Sequence, residues 1–227
     1  IAYDTYRFRD ERIVRRIIGR SSGDAVVFKP LNDAQDADRL LERYAGAKVI
    51  WIYRGYRSVV HSAIRMWQGA QRDIMLGIAR DERRHPGQVP VREGMTPDMV
   101  ALCRRLSDPD ISAEDGAALH WYFRNLLYFE RGLDRHSSVL LVKYEDLVAE
   151  PTTYFPGIFE FIGCRYSEKY VKIVQRSGLE QPAVPSLRPE IEGLCVTLME
   201  RLDSRKGLGA AGPAVSERTG RTDASRP

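Results

Sequence analysis

Side chains able to bind an oxyanion are crowded into one short stretch of the sequence. WIYRGYRSVVHSAIRMW (residues 51–67) opens as an apolar β-rich run, turns at a Gly and continues with helical spacing. Arg54 ends the apolar run, and Ser58 and Ser62 follow four residues apart on one helix face. A guanidinium forks onto a phosphate, and a helix N-terminus attracts anions through its unpaired N–H groups. The stretch predicts a phosphate clamp, and the alternative is a surface Arg followed by two Ser that the helix tolerates.

Further apolar runs predict the elements that position this corner. Continuous β-rich runs, typical of strands covered on both faces, occupy Asp24–Leu31, Lys48–Tyr53 and Ser137–Leu147. Helical patterns separate them, so we expect an α/β fold, a three-layer α/β/α arrangement with a mostly parallel central sheet. Ligands of such folds bind at the carboxyl ends of strands, which directs attention to Lys29, Arg54 and Tyr144.

The segments between the strands are uneven in character. A helix is expected from about Tyr56 to Ala70, and a long one from a cap at Ser112 to about Arg131. The intervening region Gly77–Pro97 is polar and broken by Pro, which predicts a loop or insertion. As the least regular part near the site, it is interpreted as a cap on the acceptor side.

Composition limits the classes of function. The 227 residues favour one domain over 1–203, followed by a disordered low-complexity tail over 204–227. Most of the net charge of +4 belongs to that tail, so a nearly neutral body argues against nucleic-acid binding. The three Cys form no disulfide or zinc pattern, which fits a reducing cytoplasm. No apolar run reaches the ~18 residues that a membrane span needs.

Several of these stretches together resemble one enzyme family. The corner IYRGYRSVVHS, the upstream VVFKPLNDAQ, the helix ALHWYFRNLLYFERGLD and the run VLLVKYEDLVAEPTTYFPGIFEFIG are similar to sulfotransferases that use 3′-phosphoadenosine 5′-phosphosulfate (PAPS). The resemblance covers most of residues 24–163 and implies a P-loop-like fold. It implies transfer of a sulfuryl group to a hydroxyl or amine of a small-molecule or carbohydrate acceptor, without a metal.

The resemblance also implies roles for individual residues. Arg54 and Ser62, eight residues apart, would hold the 3′-phosphate of the nucleotide, and Tyr144 would contact the adenine. Lys29 would lie near the transferring sulfate. The catalytic His of cytosolic members is replaced by Leu31, so the general base is not inherited. Asp33 is a candidate base, although a helix N-cap explains it equally well.

Other departures leave further alternatives open. His61 and His120 could act as bases, or could be structural or line the acceptor pocket. The triplet of residues 205–207, RKG, resembles a nucleotide-binding triplet of cytosolic members, but its low-complexity surroundings favour chance. The family's Gly-rich 5′-phosphosulfate loop does not occur before Lys29, so we expect the first strand and this loop to be absent from the sequence. The rival functions are an inactive fragment or pseudoenzyme with a partial nucleotide pocket, and a P-loop kinase-like phosphotransferase.

Overall fold

A computed structural model describes residues 3–4, 7–8, 10–29, 33–82, 84–174 and 186–207. The strands in these ranges are β1 (Tyr3–Asp4), β2 (Arg7–Phe8), β3 (Val49–Tyr53) and β4 (Val139–Lys143). The helices are α1 (Glu11–Gly19), α2 (Ala37–Arg43), α3 (Tyr56–Trp67), α4 (Ala70–Arg80), α5 (Gln88–Gly94), α6 (Pro97–Leu106), α7 (Ala113–Glu130), α8 (Tyr144–Ala149), α9 (Pro151–Ile162) and α10 (Pro189–Asp203). Short 3₁₀ turns occupy Ala34–Asp36 (here η1), Leu133–Arg135 and Glu168–Tyr170.

The sheet that organises the fold is a parallel pair. β3 lies beside β4 in a register that sets Val49 opposite Val139 and Tyr53 opposite Lys143. Parallel strands need a crossover between them, and here helices α3 to α7 supply it. β1 and β2 form a separate antiparallel pair. A helix-rich α/β fold with a small parallel sheet confirms the predicted fold class.

The strand predicted over Asp24–Leu31 is wrong for the residues that the structure describes. Residues 24–29 have no regular secondary structure, and the side chain of Val27 is 82% exposed. A β-rich run becomes a strand only where a neighbouring strand accepts its backbone hydrogen bonds, and the local pattern does not report that neighbour. Lys29 therefore follows an irregular exposed segment, and residues 30–32 lie outside the described part of the chain.

The Pro-broken middle of the chain is more regular than its composition predicted. Instead of a loop, it holds the end of α4, all of α5 and the start of α6. Thr96 caps α6 by accepting a hydrogen bond from the backbone N–H of Met99, and Pro97 occupies the first helical position, where its missing N–H costs nothing. Pro97 thus starts a helix instead of interrupting one.

The core is built around α7. This helix packs against α3, α4 and α10, and its residues Ala117, Ala118 and Leu119 are at most 2% exposed. Ser112 caps its start by accepting a hydrogen bond from the N–H of Asp115 at 3.0 Å, as the sequence predicted. Gly116, Ala117 and Ala118 near the start of α7 have small side chains or none, so α4 packs closely against this end. The close contact fixes the relative position of the two helices.

None of the helices in the described ranges combines the length and apolar character that crossing a membrane needs.

The chain after α10 returns to the sheet. The backbone N–H of Gly207 donates to the carbonyl of Leu141 at 3.1 Å, and the ammonium of Lys206 lies 2.7 Å from the carboxylate of Asp146. Residues 204–207, which the sequence assigned to the tail, therefore contact β4 and α8. Disorder of the remaining tail stays a prediction, because residues 208–227 lie outside the described ranges.

The closest helix contact gives a stability prediction. A Cβ at Gly116 would lie 2.5 Å from Cα and 2.9 Å from the backbone N of Arg72 on α4, so Gly116→Ala must push the two helices apart. We expect a loss of about 1–3 kcal/mol in the free energy of unfolding, measured by urea denaturation. Gly193→Ala on α10 is the matched control, since a Cβ there meets nothing within 4 Å. It should stabilise the protein by up to about 1 kcal/mol, and equal effects of the two changes would contradict the packing argument.

Candidate functional site

The predicted corner lies at the carboxyl end of β3. Arg54 follows the strand, Gly55 is the N-cap of α3, and Tyr56 is its first helical residue. Gly55 has no side chain with which to cap this helix, unlike Ser112 at the start of α7. The first turn of α3 therefore directs its backbone N–H groups and its positive end toward the strand edge, where they attract a negative group.

The end of β4 brings an aromatic ring to the same place. Tyr53 pairs with Lys143 at the ends of β3 and β4. The residues that follow the two strands, Arg54 and Tyr144, are therefore neighbours. The guanidinium carbon of Arg54 lies 4.8 Å from the centroid of the Tyr144 ring, within cation–π range. The structure thus joins two of the predicted nucleotide-binding residues in direct contact.

A carboxylate occupies the anion position of this corner. Glu145 Oε1 accepts a hydrogen bond from the N–H of Gly55 at 3.0 Å and lies 3.9 Å from Arg54 Nε. Arg54, Gly55 and Glu145 are all partly shielded from water. The charges of Arg54 and Glu145 therefore interact more strongly than they would on an open surface. The position beside Arg54 and the start of α3 is therefore suited to an oxyanion, and an incoming phosphate must share it with Glu145 or displace that side chain.

The corner is anchored from behind by α7. The indole Nε1 of Trp121 donates to the backbone carbonyl of Arg54 at 2.9 Å, and its ring packs against Tyr56 with centroids 5.8 Å apart. Trp121 is 3% exposed, so this hydrogen bond is shielded from competing water. The backbone from which Arg54 projects is thereby held against α7, at the centre of the core.

The two serines of the corner differ in their surroundings. Ser58 is 7% exposed and lies within the packed side of α3, which leaves it poorly placed for a ligand. Ser62 is half-buried, and its hydroxyl lies 3.5 Å from the sulfur of Met66, one turn further along. Of the pair, Ser62 is the better candidate for a ligand contact, and its sharing of a phosphate with Arg54 stays a prediction.

Residues 203–207 complete the edge. Asp203 accepts from the hydroxyl of Tyr53 at 2.7 Å and from the ammonium of Lys143 at 2.8 Å. Burial, together with the hydrogen bond to Asp203, raises the pKa of Tyr53. The hydrogen bond to Asp146 raises the pKa of Lys206. The RKG triplet, which sequence reasoning assigned to chance, thus lies beside the carboxyl end of β4.

A second polar cluster, formed by Asp33, Gln35, His120 and Arg124, is one that sequence reasoning did not assemble. Arg124 on α7 donates from Nη1 to Oε1 of Gln35 at 3.2 Å, and Gln35 is only 2% exposed. Burial lowers the pKa of Arg124, and the charge of Asp33 opposes that shift. The only signal in the sequence was the i, i+4 spacing of His120 and Arg124, which places them on one helix face.

His120 is held neutral by this cluster. Burial, then the charges of Arg124 and His85, lower its pKa to about 3. His85 belongs to the turn between α4 and α5, so the cluster joins α7 to the predicted acceptor-side cap. A cavity of about 460 Å³ opens in that cap, lined by Asp81, Glu82, Gln88, Val89, Arg92 and Glu93.

The neutral His120 gives a pH-dependent prediction. Between its ordinary pKa of 6.5 and about 3, the unfolded chain binds a proton that the folded protein refuses. The free energy of unfolding must therefore fall as the pH falls through this window, by up to about 1.4 kcal/mol per pH unit. His120→Gln should flatten this slope in urea titrations, whereas His136→Gln, at an exposed position, should keep the wild-type slope. An unchanged slope in His120→Gln would show that His120 is not the group responsible.

Comparison with protein families gives a match over the part of the chain that holds the corner. The sulfotransferase domain model matches residues 43–182, which include β3, β4, the Arg54 corner and α7. Comparison with curated proteins and with solved structures gives no match.

Proposed function

Because this chain belongs to the sulfotransferase domain family, we propose that it transfers a sulfuryl group from PAPS to the hydroxyl or amine of a small-molecule or carbohydrate acceptor. The observation that carries the proposal is the corner between β3 and α3. There Arg54, the start of α3 and Tyr144 surround a position that the carboxylate of Glu145 occupies. The donor supplies an activated sulfuryl group with a phosphate as its leaving group.

The 3′-phosphate of the donor is assigned to Arg54 and the start of α3. A guanidinium offers two parallel N–H groups to phosphate oxygens, and the first turn of a helix adds backbone donors. Ser62, on the second turn of α3, contributes a hydroxyl to the same group. The half-buried setting of Arg54 supports this role, since charged hydrogen bonds gain strength where water is partly excluded.

Tyr144 is assigned to the adenine. Its ring is half-buried at the end of β4, and the guanidinium of Arg54 lies over one of its faces. An adenine contact therefore uses the ring edge, the hydroxyl or the opposite face, all of which fit an aromatic that hydrogen-bonds or stacks on a base. This arrangement makes Arg54 bridge the phosphate and the base-binding aromatic.

Lys29 is assigned to the transferring group. Sulfuryl transfer requires that the negative oxygens be neutralised while the group moves in line between acceptor and leaving group. An exposed ammonium on an irregular segment reaches such oxygens as a point charge without a fixed fork geometry. The metal-free reaction and the cytoplasmic location stay predictions.

Nucleotide binding is tested by calorimetry of the full-length protein with adenosine 3′,5′-bisphosphate. Arg54→Ala should weaken binding by about 1.5–3 kcal/mol, roughly 10- to 150-fold in Kd, because a charged hydrogen bond to phosphate is lost. Glu145→Gln should act in the opposite direction, since it keeps the oxygen that accepts from Gly55 and removes a negative charge 3.9 Å from Arg54.

The matched control for Arg54 is Arg39→Ala on α2, whose side chain is 67% exposed and pairs with Asp36 within its own helix region. It should leave the affinity unchanged. Equal affinities of Arg54→Ala and wild type would refute the assigned role of Arg54. A protein that binds the bisphosphate but transfers no sulfate from PAPS would instead support a nucleotide-binding pseudoenzyme.

The role of Lys29 is tested by transfer of radioactive sulfate from PAPS. Lys29→Ala should lower kcat by roughly 10²- to 10³-fold, the scale of removing one donor to a developing negative charge. The affinity for adenosine 3′,5′-bisphosphate should remain, because that product lacks the sulfuryl group. Lys172→Ala, which removes another exposed ammonium, should leave both quantities unchanged. A loss of bisphosphate affinity in Lys29→Ala equal to its loss of kcat would assign Lys29 to the nucleotide instead.

A further inference from the structure

The last residues of the two paired strands share one hydrogen-bond acceptor. Tyr53 ends β3 and Lys143 ends β4, and the register sets them directly opposite each other. The hydroxyl of Tyr53 donates to Oδ1 of Asp203 at 2.7 Å, and the ammonium of Lys143 donates to both oxygens of the same carboxylate at 2.8 and 3.0 Å. Opposite residues of neighbouring strands project from the same face of a sheet, so one carboxylate reaches both. Asp203 thereby connects β3 to β4 through side chains, in addition to the backbone hydrogen bonds.

The position of Asp203 is unfavourable for the helix that carries it. Asp203 is the last residue of α10, where unpaired backbone carbonyls make the end of the helix negative. A carboxylate at this end destabilises a helix, whereas a cation there stabilises it. The ion pair with Lys143 offsets this repulsion. The contact with the two strands, and not the stability of α10, therefore accounts for an acidic residue at this position.

The hydrogen bond from Tyr53 is shielded from water. Tyr53 is 1% exposed, so its hydroxyl has no ready replacement for Asp203 as a partner. Burial, then the hydrogen bond to Asp203, raises the pKa of Tyr53, so the phenol keeps the proton that it donates. The side chains of Lys143 and Asp203 are more open, at 20% and 36% exposed, and their ion pair is correspondingly weaker. The Tyr53 contact is thus the more restrictive half of the arrangement.

The backbone on both sides of Asp203 is fixed. Leu202, the residue before it, is fully buried in the core formed with α7. After it, the ammonium of Lys206 lies 2.7 Å from a carboxylate of α8, and the N–H of Gly207 donates to the carbonyl of Leu141 at 3.1 Å. A side chain that projects from a fixed backbone restrains the groups that it binds.

The residues that follow the two strand ends are the proposed nucleotide ligands. Arg54 is bonded to Tyr53 and Tyr144 to Lys143, and the guanidinium lies 4.8 Å from the centroid of the tyrosine ring. Successive Cα atoms are only about 3.8 Å apart, so a displacement of either strand end moves the next residue with it. Asp203 binds both strand ends, and it therefore acts on both sides of this contact.

We propose that Asp203 is a positioning residue of the nucleotide corner, which holds the ends of β3 and β4 together and so sets Arg54 relative to Tyr144. The inference rests on the proposed assignment of the 3′-phosphate to Arg54 and of the adenine to Tyr144. Asp203 acts through these residues without touching the ligand. When the contact is lost, the two strand ends move more independently, and the phosphate and the base no longer meet their ligands in a single arrangement.

The test is calorimetry of the full-length protein with adenosine 3′,5′-bisphosphate. Asp203→Ala removes both contacts and should weaken binding by roughly 2- to 30-fold in Kd, the scale of changes that act through a neighbouring residue. Asp203→Asn, which keeps an oxygen acceptor, should recover part of the affinity. Tyr53→Phe removes the buried hydrogen bond alone and should cause a smaller loss. Glu200→Ala is the matched control, since it removes an exposed carboxylate one turn earlier on α10 and should leave the affinity unchanged.

A double-mutant cycle separates positioning from a purely structural role. Once Arg54→Ala has removed the guanidinium, adding Asp203→Ala should cost less affinity than it costs in the wild type, because contacting residues are coupled. Adenosine 5′-phosphate, which lacks the 3′-phosphate, should lose less affinity in Asp203→Ala than the bisphosphate does. A structural role alone would lower the midpoint of thermal unfolding and leave the affinity of the folded protein unchanged.

The outcomes distinguish this inference from the proposed function. Bisphosphate affinity that stays at the wild-type value in Asp203→Ala and Tyr53→Phe, measured below their unfolding transitions, would overturn the positioning role. Losses from Asp203→Ala and Arg54→Ala that add to within about 2-fold would overturn it as well. If Arg54→Ala itself binds like the wild type, the nucleotide assignment fails and this inference fails with it. If Asp203→Ala does not fold, Tyr53→Phe takes its place in the cycle, because it keeps the buried ring.

Discussion

The parallel pairing of β3 with β4 is the constraint on which the candidate site depends. With Tyr53 opposite Lys143, both strands end at the same edge of the sheet, and Arg54 contacts Tyr144 there. A slip of one residue would move the guanidinium about 3.3 Å along the edge and reverse the faces of every side chain on one strand. Leu141 and Val142 are each 2% exposed on opposite faces of β4, so a one-residue slip would force the packing on both faces to rearrange.

Helix α7 connects the edge of the sheet to other parts of the molecule through direct side-chain contacts. One of its faces holds Trp121 under the carbonyl of Arg54, and the next turn presents Arg124 to the start of η1. A rigid helix keeps such groups at a constant separation, so the Arg54 corner and the polar cluster of Gln35 and Arg124 are positioned by the same element. The close approach at Gly116 fixes α7 against α4, which leads into the segment that contains His85. The packing of α7 at Gly116 thereby helps to determine where its other residues, such as Trp121 and Arg124, are placed.

Features that depend on residues adjacent in the chain could be predicted from the sequence, whereas features that depend on distant residues could not. The Arg54 corner was predictable because strand end, turn and helix start are adjacent in the chain, and their spacing is a local property. The strand at residues 24–31 was wrong because strand formation depends on a distant partner, and Val27 is 82% exposed where a buried strand was expected. The cluster of Asp33 and Arg124, 91 residues apart in numbering, is assembled only by the packing of η1 against α7. The RKG triplet was set aside on its surroundings, yet Gly207 pairs with β4.

The charges at the carboxyl edge of the sheet are balanced before any ligand is considered. Glu145 lies near Arg54, Asp146 near Lys206 and Asp203 near Lys143, so each carboxylate has its own cation. An anion entering this edge would gain the attraction of Arg54 at the expense of the contact between Arg54 and Glu145, and its affinity would be the difference between the two. The Glu145 contact is the longest of the three, at 3.9 Å against 2.7 and 2.8 Å, and is the one that an incoming anion replaces most easily. Of these three ion pairs, the one between Arg54 and Glu145 is therefore the pair that an incoming anion would exchange at the smallest loss of direct charge–charge contact.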